Sequence, residues 1–124
     1  MLDRTDGHNL VPFLVERYPA FADVLAQSVH PWQQADGTVS SYDVLLVFST
    51  FTISLLRSPE WRDTVRIFDA VEDLLQSNVQ EWMDAAALGF LDTLLREEPD
   101  TKLYLRPLGR RSAAYCAWVL DQGA

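Results

Sequence analysis

The chain has 124 residues, 48% of them hydrophobic and 11% aromatic, with 18 acidic against 10 basic residues and a formal net charge of −8. That length suits one domain, 1–124, long enough to bury roughly two-thirds of the surface its unfolded chain exposes. The acidic balance and the single lysine, Lys102, argue against nucleic acid and anionic lipid, whose recognition needs clustered bases.

Cys116 is the lone cysteine, so no internal disulfide forms. The polar, acidic start from Met1 to Asp6 lacks the basic and apolar regions of a secretion signal. No apolar run approaches the ~18 residues of a membrane span. Together these features predict a cytoplasmic protein.

Six helical segments follow in chain order. The first spans about Leu10–Tyr18, with Asn9 as N-cap and Pro12 in the first turn. Pro19 ends it. The second spans about Ala20–Val29 and is stopped by His30-Pro31, after which residues 31–40 read as a loop. The third, about Ser41–Arg57, is capped by Ser40 or Ser41 and is apolar most of the way round, so it should lie between neighbours.

Ser58-Pro59-Glu60-Trp61 opens the fourth, which runs to about Gln76. Its expected inner face is Trp61, Val65, Phe68, Val71 and Leu75, with Ile67 and Leu74 beside it. Arg62, Arg66, Asp69, Asp73 and Gln76 form the opposite side. Ser77-Asn78-Val79-Gln80 has capping-box spacing, and the fifth helix spans about Val79–Glu97. Its main face is Val79, Trp82, Met83, Ala86, Ala87, Phe90 and Leu94. Leu88, Leu91 and Leu95 make a second apolar side, and Glu81, Ala85, Gly89, Asp92 and Arg96 the remaining strip.

Residues 99–107 read as irregular, with a short extended piece at Leu103-Tyr104-Leu105. The last helix is about Gly109–Leu120 and carries Ala113, Ala114, Ala117, Trp118 and Leu120. No period-two alternation suggests a sheet. The expected fold is a compact all-α bundle of five to six helices. Phe51-Thr-Ile-Ser-Leu-Leu-Arg57 echoes Phe90-Leu-Asp-Thr-Leu-Leu-Arg96 at an offset near the ~40–47 residues of HEAT repeats, so HEAT-like hairpins stand as an alternative.

Little in the sequence carries chemistry. His8 and His30 have no partner at metal-ligand spacing, and His30 suits a helix end. There is no Gly-x-Ser-x-Gly elbow and no phosphate-binding glycine loop. Cys116 sits among small and aromatic residues, which favours packing over nucleophilic duty. The reading is a protein without enzymatic activity, metal or cofactor. Arg106, Arg110 and Arg111 form a small basic cluster, expected to pair with surplus acids.

Charge placement on the fourth helix is more informative. Asp69, Glu72 and Asp73 crowd its second half, where no base balances them. Like charges at these spacings cost about 0.2–0.5 kcal/mol per pair, and acids at a helix C-terminus oppose the macrodipole. Arg66 is placed to offset part of this. Glu81 and Asp84 follow soon after. The five, Asp69, Glu72, Asp73, Glu81 and Asp84, are the candidate surface for a basic protein partner, against the plainer alternative of a solubilising face. Trp82 beside them is expected in the core.

The stretch from Phe48 to Arg96 resembles a family of small bacterial helical proteins of unknown function. The shared pattern is an aromatic-rich helix, Trp-x-x-x-Val-x-x-Phe at Trp61 to Phe68, the acidic Val71-Glu72-Asp73-Leu74-Leu75, and Phe90-Leu91-Asp92-Thr93-Leu94. Members usually carry Glu where this chain has Asp92. Proteins of this acidic, compact kind are also similar to immunity proteins, which protect a bacterium from a toxin. The resemblance implies a binding module that blocks a cationic toxin domain; the alternative is a helical adaptor acting as a homodimer.

Overall fold

The computed structural model describes residues 7–27 and 40–123, and every described element is helical. Helix α1 is Gly7–Arg17, α2 Phe21–Gln27 and α3 Ser41–Leu56. A 3-10 turn, Trp61–Asp63, leads into α4, Thr64–Leu75. Helix α5, Gln80–Asp84, continues through a π-helical stretch, Ala85–Leu91, into α6, Asp92–Glu97. A second 3-10 turn, Thr101–Leu103, precedes α7, Arg110–Gly123. The all-α bundle predicted from periodicity is therefore the observed fold. The His30-Pro31 stop and most of the 31–40 loop lie outside the described residues.

The apolar residues of every long helix converge on one core. Leu10 and Leu14 of α1, Phe21 of α2, Phe48 of α3, Phe68 of α4 and Phe90 of the π stretch are fully buried. Their rings touch in a chain. Phe21 lies 4.2 Å from Phe48, Phe48 is 5.9 Å from Phe90, and Phe90 meets Phe68 edge-on at 6.2 Å. Such aromatic pairs each contribute about 0.5–1.5 kcal/mol beyond simple burial. Trp82 packs partly buried against this core beside Phe13, and its indole Nε1 is buried with no hydrogen-bond partner among the described residues.

Helix α3 and the α5–α6 helix run parallel, side by side. Ser41 meets Glu81, Ser49 meets Phe90 and Arg57 meets Glu98, at sequence separations of 40, 41 and 41. The two echoing segments thus sit on adjacent parallel helices, with α4 between them in the chain. Gly89 makes the close approach. A Cβ there would stand 2.7 Å from the Tyr42 carbonyl oxygen and 3.1 Å from Leu45 Cβ. Just beyond it, the buried Ser49 hydroxyl donates to the Phe90 carbonyl at 2.8 Å, across the two helices. That bond ties the two helices together at the wide turn.

Several expectations change. Helix α1 begins at Gly7, so Asn9 lies inside it and Pro12 is interior. Trp61 and Val65 are half exposed, at 50% and 45%, where an inner face was expected. The α-helix starts only at Thr64, because a 3-10 turn comes first and rotates faster per residue. The buried set is Thr64, Ile67, Phe68, Ala70, Val71 and Leu74.

On the next helix Ala85 and Gly89 are buried while Leu88 is exposed. Small residues there admit the α3 backbone, and the π stretch shifts every later side chain around the axis. Ser77 makes a local turn rather than a capping box. Its hydroxyl accepts from the Val79 amide and donates to the Leu74 carbonyl. Residues 103–105 are turn and 3-10 structure rather than extended. On α7, Cys116 is buried while Trp118 and Leu120 face outward.

Candidate functional site

The five acids singled out from sequence separate into two groups. Glu81 and Asp84 lie on α5, beside the start of α3. Ser40 caps α3 by accepting from the Asp43 amide at 3.2 Å, and Ser41 donates to Glu81 at 3.1 Å. Gln80 donates to Asp84 at 2.8 Å. The parallel packing places both helix N-termini here, where carboxylates interact favourably with the macrodipoles. Tyr42 and Leu88 rise beside them, 43% and 47% exposed. These side chains line a recess of 360 Å³ with two carboxylates and an apolar wall.

Asp69, Glu72 and Asp73 lie on α4, and there the structure employs two of them internally. Glu72 accepts from the Arg111 and Ser112 amides at 2.9 and 3.0 Å, from the Ser112 hydroxyl at 3.0 Å, and from Gln76 at 3.1 Å. It is the N-terminal cap of α7, supplied from another helix. Burial works to raise its pKa. The bonds from Ser112, Arg111 and Gln76 outweigh burial and leave it below the usual glutamate value. Gly109 is required beside it, since a Cβ there would fall 2.4 Å from the Glu72 carboxylate.

Asp73 forms an ion pair with Arg17, whose guanidinium also stacks on Phe13 at 4.6 Å. Asp69 is exposed, and Arg66 makes no ion pair with it among the described residues. The acids at the end of α4 are thus explained in part by the fold. Glu72 costs α4 a little and caps α7 instead. Arg110 and Arg111 border a recess with Glu72 and Gln76, but neither forms an ion pair among the described residues, nor does Arg106.

The most deeply placed carboxylate was missed in the sequence. Glu98 is 2% exposed and accepts two bonds from Arg57, at 2.9 and 2.6 Å, plus the Asp100 amide at 3.1 Å. The Tyr104 hydroxyl donates to its backbone carbonyl at 3.2 Å. The Arg57 bonds pull the Glu98 pKa down against the effect of burial. The 39-residue echo was the available signal. Taken as parallel neighbours, the two helices bring Arg57 beside Glu98.

No chemistry-bearing set emerges among the described residues. No group of three His, Cys, Asp or Glu is placed to hold a metal ion. The Cys116 thiol is buried, and burial, with Asp92 nearby, pushes its pKa up to about 12, opposite to what a nucleophile needs. Tyr115 donates to Asp92 at 2.8 Å, and burial and that bond both raise the Tyr115 pKa. His30 and the side chain of His8 lie outside the described residues. No described helix is long and apolar enough to cross a membrane.

A third recess, of 390 Å³, opens at the far end of α3. Trp61 and Val65 supply its apolar wall with Leu103, and Lys102 and Arg106 its charge. Arg62 stacks on the Trp61 ring at 5.0 Å. It is the basic counterpart of the first recess.

No curated protein and no solved structure matches the chain. A domain family does, over residues 11–119, from within α1 to within α7. The chain therefore belongs to the family described as a domain of unknown function, DUF7674.

Proposed function

We propose that this protein is a protein-binding module that receives a cationic partner at the recess between α3 and α5. One observation carries the reading. Tyr42 and Leu88 are large apolar side chains left outside the core, and they stand beside the carboxylates of Glu81 and Asp84. Apolar anchors ringed by charge are what a protein interface requires. The net charge of −8 favours fast encounter with a positive partner.

Asp69 remains a candidate contact. Glu72 and Asp73 serve α7 and α1, so the docking surface centres on α5 and not on the end of α4. A basic toxin domain is the finer proposal for the partner, making the protein an immunity protein. Its support is the acidic charge and the resemblance described above.

The test titrates polylysine, a cationic polypeptide, against wild type and Asp84→Lys at low and high salt. The reading expects a salt-sensitive complex that Asp84→Lys weakens at least tenfold, mainly by slowing association. An affinity unchanged by Asp84→Lys would remove the recess from the proposal.

A further inference from the structure

Helix α7 carries its charges at the wrong ends. Arg110 opens it with Arg111 beside it, and Asp121 stands in its last turn, the reverse of what the macrodipole favours. The fold does not account for this order. All three side chains are exposed, and none forms an ion pair among the described residues.

The same charges belong to a regular stripe. Arg110, Ala114, Ala117 and Asp121 recur at helical spacing, so they share one face, and all four are exposed. Trp118 flanks the stripe and is more exposed than any other large apolar side chain described. Its ring lies 6.1 Å from that of Tyr115, whose hydroxyl is fixed on Asp92 at 2.8 Å, so the indole is supported from below. Arg111 lies on the same side of the stripe. With Arg110 and Ala114 it borders a recess of 550 Å³ that Glu72 and Gln76 complete. Glu72 is bonded there to the Arg111 and Ser112 amides and to neither guanidinium.

The stripe is complementary to itself. Arg110 lies as far before the midpoint between Tyr115 and Cys116 as Asp121 lies after it, and Ala114 and Ala117 are related in the same way. We propose that a second copy of this chain packs antiparallel on α7 about a two-fold axis at that midpoint. Arg110 of each copy then faces Asp121 of the other. The alanines meet at the crossing, where small side chains let two helix axes come within about 8–10 Å. The two-fold keeps Trp118 on the side of Arg111, so each indole enters the other copy's recess, against Ala114 and the Arg111 guanidinium. The two net charges of −8 repel at long range. Contact and not steering therefore holds the pair, and salt of about 0.15 M, which screens charges more than about 8 Å apart, favours it.

Sedimentation of the intact chain in that salt, up to millimolar concentration, tests this. The average mass should rise with concentration towards twice the 14.1 kDa chain and no higher. Trp118→Ala should weaken the association at least tenfold. Arg110→Asp and Asp121→Arg should each do the same, because each sets two like-charged pairs in contact. Mixed in equal amounts, these two variants should dimerise, since every acid then meets an arginine. The double variant, Arg110→Asp with Asp121→Arg, should dimerise by itself. Both charge changes suit the macrodipole better than the residues they replace, so α7 keeps its fold, which circular dichroism checks.

A wild-type chain that stays monomeric at millimolar concentration overturns the proposal. So does a dimer that Trp118→Ala leaves intact, or growth beyond two copies. A mixture of the two charge variants that associates no more tightly than either alone overturns the antiparallel pairing. Binding of polylysine through Asp84 stands or falls separately, since none of these variants alters that surface.

Discussion

The seam between α3 and the α5–α6 helix and the seam between α4 and α7 are built by opposite means. The first is made of absent side chains and apolar ones: Gly89 under the Tyr42 carbonyl, rings in contact, and one buried hydroxyl on a carbonyl. The second is pinned by a carboxylate, Glu72, gripping the first amides of α7. A close-packed seam has no way to yield, whereas a polar one trades protein bonds for water when it opens. The first seam should therefore dominate stability and respond to pH only at its Arg57–Glu98 end. The second should be modest and respond to acid.

Gly89 is the sharpest place to break the first seam. Gly89→Val should cost at least about 3 kcal/mol, because neither the Tyr42 backbone nor Leu45 can retreat from the new side chain. Gly89→Ala should still destabilise by about 1–3 kcal/mol, although alanine is the better helix former. Chemical denaturation measures both. A stabilised Gly89→Ala would mean that the helices do not approach this closely. Ser49→Ala, which removes the bond joining the two helices at the Phe90 carbonyl, should cost about 0.5–1.5 kcal/mol.

This contrast also marks how far the sequence could be read. Helix α3 was legible to within a residue at each end, because Ser40 is a strong cap and the apolar run is long. The inner face of α4 was displaced, because Trp61 and Val65 look like core by type while the 3-10 turn sets a different rotation. Gly89 and Ala85 were placed on an outer strip because small residues carry no hydropathy signal either way. Their role depends on a neighbouring backbone forty-odd residues earlier.

The acids divide similarly. The imbalance at the end of α4 was visible as a local misfit. Its cause was not, since the amides that Glu72 caps lie 39 and 40 residues away. Glu81 and Asp84 were found, but the exposed Tyr42 and Leu88 that give them a setting were not. Both are apolar by type and sit on helices that otherwise bury such residues.

The second seam is the next to break. Glu72→Ala should cost about 1–2 kcal/mol, the range for losing a helix cap. Gly109→Ala should cost a similar amount by displacing the same carboxylate, and the two changes should not add. Acid should reproduce the loss. The folded pKa values of Glu72 and Glu98 both lie below their unfolded ones. Their stabilisation is complete above the ordinary glutamate value, about pH 4.3, and disappears as pH falls through the lower folded values. Stability measured from pH 6 down to pH 2 should fall steeply in wild type. The acid slope should be shallower in Glu72→Gln and in Glu98→Gln, and unchanged in Ser49→Ala, whose hydroxyl does not titrate in this range.

The smallest effects should come from the acids that neither seam uses. Asp84→Lys and Asp69→Lys alter exposed side chains, and each should shift stability by no more than about 0.5 kcal/mol. Asp84→Lys breaks one bond from Gln80 and places a cation in the first turns of the continuous helix that starts at Gln80, so a small loss is the expected sign. Asp69→Lys removes a like charge from beside Glu72 and Asp73 and adds a base towards the end of α4, so a small gain is expected. Opposite signs from one kind of charge reversal would show that position along the helix governs these residues. A loss of 2 kcal/mol or more at Asp84 would instead make it a structural residue, and the recess would lose the carboxylate that sets it apart from an ordinary surface.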